Sequence, residues 1–551
     1  MKMRNIFGNN RALLAVFCLA SMLLFYAVGS WAARAKGDWQ TYRQPDGTEL
    51  TVALYGDEWF SYYVAPDGTT LVADDEGFLR PVSSDTLNVQ CSRQMASARR
   101  KLPSRRTQWD AGRIYRQAVV LVEYIDFKFS MENPVERYDS IFNRPGYNEG
   151  VGLGCVADYF RDQSGGLLNL QFDIYGPVLV DENANKEMKY LGGPTLTKAM
   201  QQLVDSVEID FTPYDWDGNG YVDQVIFISA GYTGNQRTGY LWPNTGSFST
   251  LNTHDGKKIS TYSASCEIWN NNRLCGIGTI CHEFTHCFGL PDLYPANSSQ
   301  NPSISVVDEW ELMDGGNFTN QGWCPCNYSA HEKMLLGWYS PIELTEATTI
   351  RGMKPLSEGG EAYIVRKNAN EFYMLENRQW KGWDLRLPGH GLLIAHVDYL
   401  EGSWSSNTVN NKANHLRYYY FPADGLYYDD WHNIIGDNNP YVNGRNRHLS
   451  GTAYPYTDTA NDTVYNALTD TSAVMAMTFA APGLMSKPIT CITEKDATIS
   501  FDFMGGDPQS GIFTIVRNPV LSGPLHSIPL DARHRLYFVR QSDGSYRKVL
   551  R

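Results

Sequence analysis

The chain predicts an α+β domain between two β-rich regions, on three observations. A mid-chain apolar repeat with helical spacing, residues 277–288, carries the densest chemistry. Helical and β-branched segments alternate upstream of it, and short strand-like stretches punctuated by turn residues flank both sides. With 551 residues the length allows roughly two to four domains. An aromatic content of 13%, with 48 glycines, fits much β structure and many turns, and a net charge of −13 offers no basic surface for nucleic acid.

Lys2, Arg4 and Arg11 precede an apolar run from Ala12 to Ala33 that ends in small residues, so residues 1–33 read as a signal peptide. The expected location is extracellular, secreted or at the cell surface, after periplasmic transit. No later run is long enough to span a bilayer, so no stable membrane insertion is expected after signal removal. Pro-Asp-Gly-Thr turns at 45–48 and 66–69 divide alternating stretches into a small β-meander. From Ser92 to Arg116 the chain turns basic, with Arg99-Arg100-Lys101 and Arg105-Arg106 around Pro103, as a solvated and cleavable linker does. Residues 34–106 therefore read as a propeptide with its linker.

A buried strand is predicted at Gln117–Ile125, helices at Cys155–Asp162 and Thr195–Val207, and a strand at Val222–Ser229, all within a catalytic domain at 107–345. Strands at Ala362–Arg366, Glu371–Glu376, Gly391–Asp398 and Ala497–Phe503 make 346–506 a β-rich, sandwich-like accessory domain. Residues 507–551 read as a tail.

The central segment is His282-Glu283-Phe284-Thr285-His286-Cys287-Phe288-Gly289-Leu290-Pro291-Asp292. On a helix, positions i and i+4 share a face with Cβ atoms about 5–6 Å apart, so His282 and His286 can close on one Zn²⁺. Ile277, Ile280, Cys281, Phe284 and Phe288 fall on the opposite side and pack. Gly289 sits where a helix ends in the left-handed conformation, and Pro291 stops the helix from resuming. The reversal can return Asp292 to the metal; Glu376 is the distant rival for third ligand. Zinc held by three ligands activates water and polarises a carbonyl, with Glu283 as general base.

Met313, in Glu311-Leu-Met-Asp-Gly-Gly316, can form an apolar floor beneath the ligands as a Met-turn. Asp215, Asp217, Asn219, Tyr221 and Asp223 alternate around glycines like the start of a calcium loop, but the twelfth position is Ile226 where that loop needs Glu. A structural calcium site and a turn held by side-chain-to-backbone hydrogen bonds are both open readings. His390, His396 and Asp398 suggest polar groups closing a strand end more than a second metal site. Ten cysteines include Cys18 in the signal region; six lie between 266 and 326, where disulfides are possible in an oxidising compartment without a deducible connectivity.

The stretch Gly278–Tyr294, with Glu311–Gly316 and Leu336-Gly-Trp338, resembles the immune inhibitor A-like family of secreted zinc metalloproteases, the HExxHxxGxxD zincins. Less specific likeness extends to Tyr159-Phe160, Asp215–Asp223 and Glu376–Gln379, covering about residues 118–506. The resemblance implies an α+β zincin-like, metzincin-type catalytic domain with an N-terminal β-rich propeptide and a C-terminal β-sandwich-like domain. It also implies zinc on His282, His286 and Asp292, catalysis by Glu283, and protein or peptide substrates. The expected activity is a secreted zinc-dependent endopeptidase made as a latent precursor, with Cys91 or Asp110 as occupant of the metal's open position. Its competitors are an inactive extracellular binding or adhesion protein on a zincin scaffold and a zinc hydrolase of non-peptide substrates.

Overall fold

The structure is a computed structural model that describes residues 30–506 except 32, 36, 58–60, 75, 84–101, 150–151, 185–192, 238, 270–271, 297–304, 413 and 427–448. Beyond 506 it describes the paired strands Leu536–Arg540 and Tyr546–Leu550. The signal segment to residue 29, Cys91, the Arg99-Arg100-Lys101 run and most of the tail lie outside the described residues.

The amino-terminal part begins with β1 (Ser30–Trp31) and continues as a five-stranded antiparallel meander: β2 (Trp39–Arg43), β3 (Glu49–Gly56), β4 (Ser61–Val64), β5 (Thr70–Ala73) and β6 (Leu79–Pro81). Both Pro-Asp-Gly-Thr segments are its hairpin turns. Asp46 and Asp67 each accept the N–H two residues on, at 2.9 Å, which closes the turn without a partner strand. The core of this meander, Val52, Leu54, Tyr63, Leu71 and Leu79, includes Ala35 and Trp242, so it is sealed by a side chain from far along the chain.

The middle of the chain is a three-layer α/β unit. Its sheet has the order β1-β10-β11-β9-β7-β8. In chain order these elements are β7 (Ile114–Tyr124), α1 (Pro134–Asn143), α2 (Val156–Gln163), β8 (Asn169–Val180), α3 (Gly193–Ser206), β9 (Val225–Tyr232), β10 (Asn244–Asn252), β11 (Lys258–Ile268) and α4 (Ile277–Thr285). Strands β7, β8, β9 and β11 are parallel, while β10 runs antiparallel to β11. The uninterrupted Ala-Val-Val-Leu-Val run of β7 is explained by burial on both faces. Val119 and Leu121 enter one core with residues of α1, α2 and α4, and Ala118, Val120 and Val122 enter the other with residues of α3.

After α5 (Ala330–Leu335) come β12 (Ile342–Glu343), β13 (Thr348–Met353), β14 (Tyr363–Arg366), β15 (Glu371–Arg378), β16 (Gly391–Asp398), α6 (Glu401–Ser405) and β17 (Tyr418–Tyr420). Strands β12-β14-β15-β16-β17 form a second sheet, and β13 with the late strands β20 (Ile489–Lys495) and β21 (Thr498–Phe503) forms a third; β18 (Tyr456–Asp458) and β19 (Thr463–Tyr465) pair as a hairpin between them. The second sheet is buried on both faces. Val365, Leu375 and Ile394 pack with Ile489, Ile499 and Phe501 as in a sandwich, whereas Ile364, Met374 and Leu393 join the core that also holds α4. Residues 346–506 thus share one of their two apolar layers with the helices of the middle unit.

The second half of the basic stretch is docked onto the surface. Leu102 is buried and donates its N–H to Ser405 O at 2.8 Å, Arg105 pairs with Glu401, and Arg106 pairs with Asp223. These ion pairs hold residues 102–106 against the fold, where a solvated linker was expected. Among the described residues no helix is long and apolar enough to cross a membrane.

Candidate metal centre

Helix α4 is placed by close backbone packing. Cβ atoms built on Gly276 and Gly278 would lie 2.1 Å from Gly322 C and 1.9 Å from Asn317 O, so the first turn of α4 fits against the 317–322 loop only without side chains. Ile277, Ile280, Cys281, Phe284 and Phe288 are all buried in the core, as the repeat predicts. At His286 the helix tightens into a 3₁₀ turn, His286–Phe288, and Gly289 ends it at φ 83°.

This reversal brings Asp292 back. Its Oδ1 lies 3.1 Å from His282 Nε2 and 3.4 Å from His286 Nε2, and all three side chains are buried. The opposite ring nitrogens are fixed by carbonyl oxygens: His282 Nδ1 meets Leu312 O and His286 Nδ1 meets Leu290 O, each at 2.8 Å. Since a carbonyl only accepts, each Nδ1 carries the hydrogen and each Nε2 presents a lone pair inward. His282 Nε2 and Asp292 Oδ1 have no hydrogen-bond partner, an expensive state for buried polar atoms. Converging acceptor atoms at these spacings match the roughly 3.4 Å edge of a tetrahedron with 2.1 Å legs, so the set fits a zinc-sized cation.

Asn407 orients that carboxylate. It accepts the Asp292 N–H and donates Nδ2–H to Oδ2, both at 2.6 Å, which turns Oδ1 toward the imidazoles. Glu376 does not reach the cluster: its Oε2 accepts the Ala330 N–H at 2.9 Å beneath α5, with Arg378 3.6 Å from Oε1, and burial pushes its carboxyl up to about 7. Met313 is fully buried, and its carbonyl accepts the Leu293 N–H at 2.8 Å, which ties its turn to the residue after Asp292.

Glu283 is buried beside the imidazoles and is gripped from β10 and from the amino-terminal segment. Thr245 Oγ1 lies 3.1 Å from its Oε2, and the Ala33 N–H donates to its Oε1 at 2.6 Å. Burial is the main reason its carboxyl rises to about 8, against the opposing pull of His282 and of these donors. Ala33 also gives its carbonyl to Trp242 Nε1 at 2.7 Å and packs with Trp269 and Phe318. Just before it, β1 pairs antiparallel with the edge strand β10, Ser30 opposite Gly246 and Trp31 opposite Thr245.

Asp110, expected as an occupant of the centre, is at the surface instead, where it accepts the Gly112 N–H at 2.9 Å and closes a turn. Carboxylate oxygens of Asp215, Asp217 and Asp223 gather within 4.8 Å, but Lys257 bonds Asp215 at 2.8 Å and Arg106 pairs with Asp223. Asp215 accepts the Asn219 and Gly220 N–H groups, and Asn219 accepts that of Tyr221, so this loop is held as a hydrogen-bonded turn. His396 bonds Glu371 at 2.8 Å, His390 bonds Glu494 at 2.7 Å and Asp398 bonds His415 and Arg417, so these groups tie down strand ends. The eight cysteines among the described residues are free thiols; Cys281 is in the core and Cys287 at its margin, neither facing the ligand set.

Asn407, Thr245, Trp242 and Ala33 were missed in the sequence. Each acts across more than thirty residues of chain, and none stands in a motif; only Thr245 and Trp242, in the polar stretch preceding β11, carried even the weak signal of an edge strand.

No curated protein matches the chain at a significant level. Residues 244–337, which run from β10 through α4, Asp292 and Met313 to α5, match the family model described as the immune inhibitor A peptidase M6 catalytic domain, so the segment that carries the candidate centre is similar to that family of metallopeptidases.

Proposed function

We propose that the protein is a secreted zinc-dependent endopeptidase of zincin type, acting on extracellular proteins and made as a latent precursor. The observation that carries this reading is the convergence of His282, His286 and Asp292 beside a buried Glu283 that accepts the N–H of a segment paired with β10.

His282, His286 and Asp292 would hold the zinc, which supplies Lewis acidity toward a carbonyl and acidifies water. Glu283 takes the proton from the attacking water and delivers it to the leaving nitrogen, a role that its buried place beside the imidazoles supports. Thr245 fixes the side of Glu283 away from the peptide. The Ala33 N–H marks where a substrate amide nitrogen meets the base, and Trp242 Nε1 offers a donor to the following carbonyl. The edge of β10 binds a substrate as it binds β1, by adding an antiparallel strand, which suits unfolded or extended chains. Residues around Ala33 occupy the positions a substrate needs, which supports latency through this segment and requires the signal peptide to end before Ser30, short of the boundary at residue 33 expected from the sequence.

Zinc content tests the reading. The full chain is expected to hold about one zinc per molecule by elemental analysis after dialysis, and His286→Ala to lose it. A folded parent chain that takes up no zinc from a micromolar solution is incompatible with the proposal.

A further inference from the structure

The residue after Ala33 enters a second built pocket. Arg34 is buried, with Nη2 3.1 Å from Asp308 Oδ1 and Nε 3.2 Å from Asp314 Oδ1. Asp314 is preorganised independently of the arginine: its Oδ2 accepts the N–H groups of Val306, Val307 and Asp308 at 2.9–3.0 Å, and its Oδ1 accepts the Ser305 hydroxyl. Space for the guanidinium comes from Gly315, where a Cβ would lie 2.4 Å from Asp308 Oδ1 and 3.0 Å from Arg34 Nη2. Both carboxylates lie in the loop flanking Met313, so this acidic wall belongs to the metallopeptidase unit and is not part of the meander that supplies Arg34.

Ser30 and Trp31 pair antiparallel with β10, and Ala33 places its N–H on the proposed general base, so these residues lie against the site as a substrate strand does. We infer that Asp308 and Asp314 form a specificity subsite for an arginine side chain of the substrate, at the second residue after the cleaved bond. The position follows from Glu283: the N–H it meets, Ala33's, belongs to the first residue on the leaving side, and Arg34 is the next. Guanidinium geometry suits the site, since its forked donors can reach two carboxylates on neighbouring loop residues, whereas a lysine ammonium is a single point. This inference rests on the peptidase reading above.

The test uses the full chain carrying Ala33→Pro and Arg34→Ala, which removes the N–H from Glu283 and empties the pocket. Peptides of sequence Trp-Ala-Ala-Xaa-Ala within a longer frame, with Xaa arginine, citrulline or alanine, are compared by kcat/KM, and the cleaved bond is located by mass spectrometry. Arginine is expected to exceed both others by at least about ten-fold, with cleavage two residues before it; Asp308→Asn is expected to bring the arginine-to-alanine ratio close to one. Equal rates for the three peptides overturn the subsite while leaving the peptidase reading intact, and that comparison is decisive even should Asp308→Asn fail to fold. If zinc is bound and no peptide is cut, the peptidase reading fails and the subsite with it.

Discussion

The Ala33 N–H donates to Glu283 Oε1 at 2.6 Å, joining the amino-terminal segment to the proposed general base across 250 residues of sequence. The same residue gives its carbonyl to Trp242, and Ala35 then donates its N–H to Gly56 O at 2.8 Å and enters the core of the meander. A strand, three hydrogen bonds and a folded module thus hold one short segment over the site.

Ala33→Pro in the full chain removes that N–H and strains the neighbouring pairing. Losing about 0.5–1.5 kcal/mol of a hydrogen bond corresponds to roughly 2- to 10-fold, so hydrolysis of an unfolded protein is expected to rise by at least that factor over the parent chain. A progress curve with a quenched-fluorescent casein reads it out. No rise in a zinc-loaded variant argues that latency resides elsewhere.

Asn407→Ala leaves Asp292 without its two orienting bonds while sparing every proposed ligand. Zinc affinity, measured by competition with a chromophoric chelator, should weaken by about 10- to 100-fold. An unchanged affinity would show that the carboxylate is positioned by the turn alone.

Gly278→Ala places a methyl carbon 1.9 Å from Asn317 O, so α4 or the 317–322 loop has to move. The expected cost is about 1–3 kcal/mol or more, seen as a lower Tm in calorimetry, with His282 displaced and zinc binding impaired together. A Tm within a degree of the parent contradicts this close packing of α4 on the 317–322 loop.

His331 lies among Phe372, Trp404 and Tyr418, neither ring nitrogen has a hydrogen-bond partner, and burial, with Arg105 nearby, brings its pKa from 6.5 down to about 3. Below pH 6.5 the unfolded chain takes up this proton and the folded chain does not. Its contribution is therefore fully present above pH 6.5 and is lost as pH falls toward 3, at up to about 1.4 kcal/mol per pH unit. Denaturant melts between pH 7 and 4 should show His331→Phe with a shallower acid loss than the parent; parallel curves refute the assignment.

How far the sequence spoke depends on the range of the interaction. Helix α4 was legible because its apolar repeat and its ligand spacing are both local, and Gly289 marks a stop that only a positive φ satisfies. β7 and β16 were legible as uninterrupted apolar runs. Their partners were not: one face of β16 packs under the same helices that carry the metal-site histidines, a contact no local pattern records. β10 reads as polar because it is an edge strand whose missing neighbour, β1, comes from the other end of the fold. Asn407 and Arg34 are single polar residues whose meaning lies entirely in carboxylates 115 and 274 positions away. Asp110 and the basic stretch misled for the converse reason, since charge was visible while the turn and ion pairs that satisfy it were not.

In the proposed function Glu283 moves the proton in peptide-bond hydrolysis at a zinc held by His282, His286 and Asp292. The most direct test compares hydrolysis of an unfolded protein by the zinc-loaded Ala33→Pro chain with that by the same chain carrying Glu283→Gln, which keeps the shape and removes the base. A loss of at least about 100-fold in kcat with zinc content unchanged is expected. Equal rates, or no hydrolysis by either zinc-loaded protein, would contradict it.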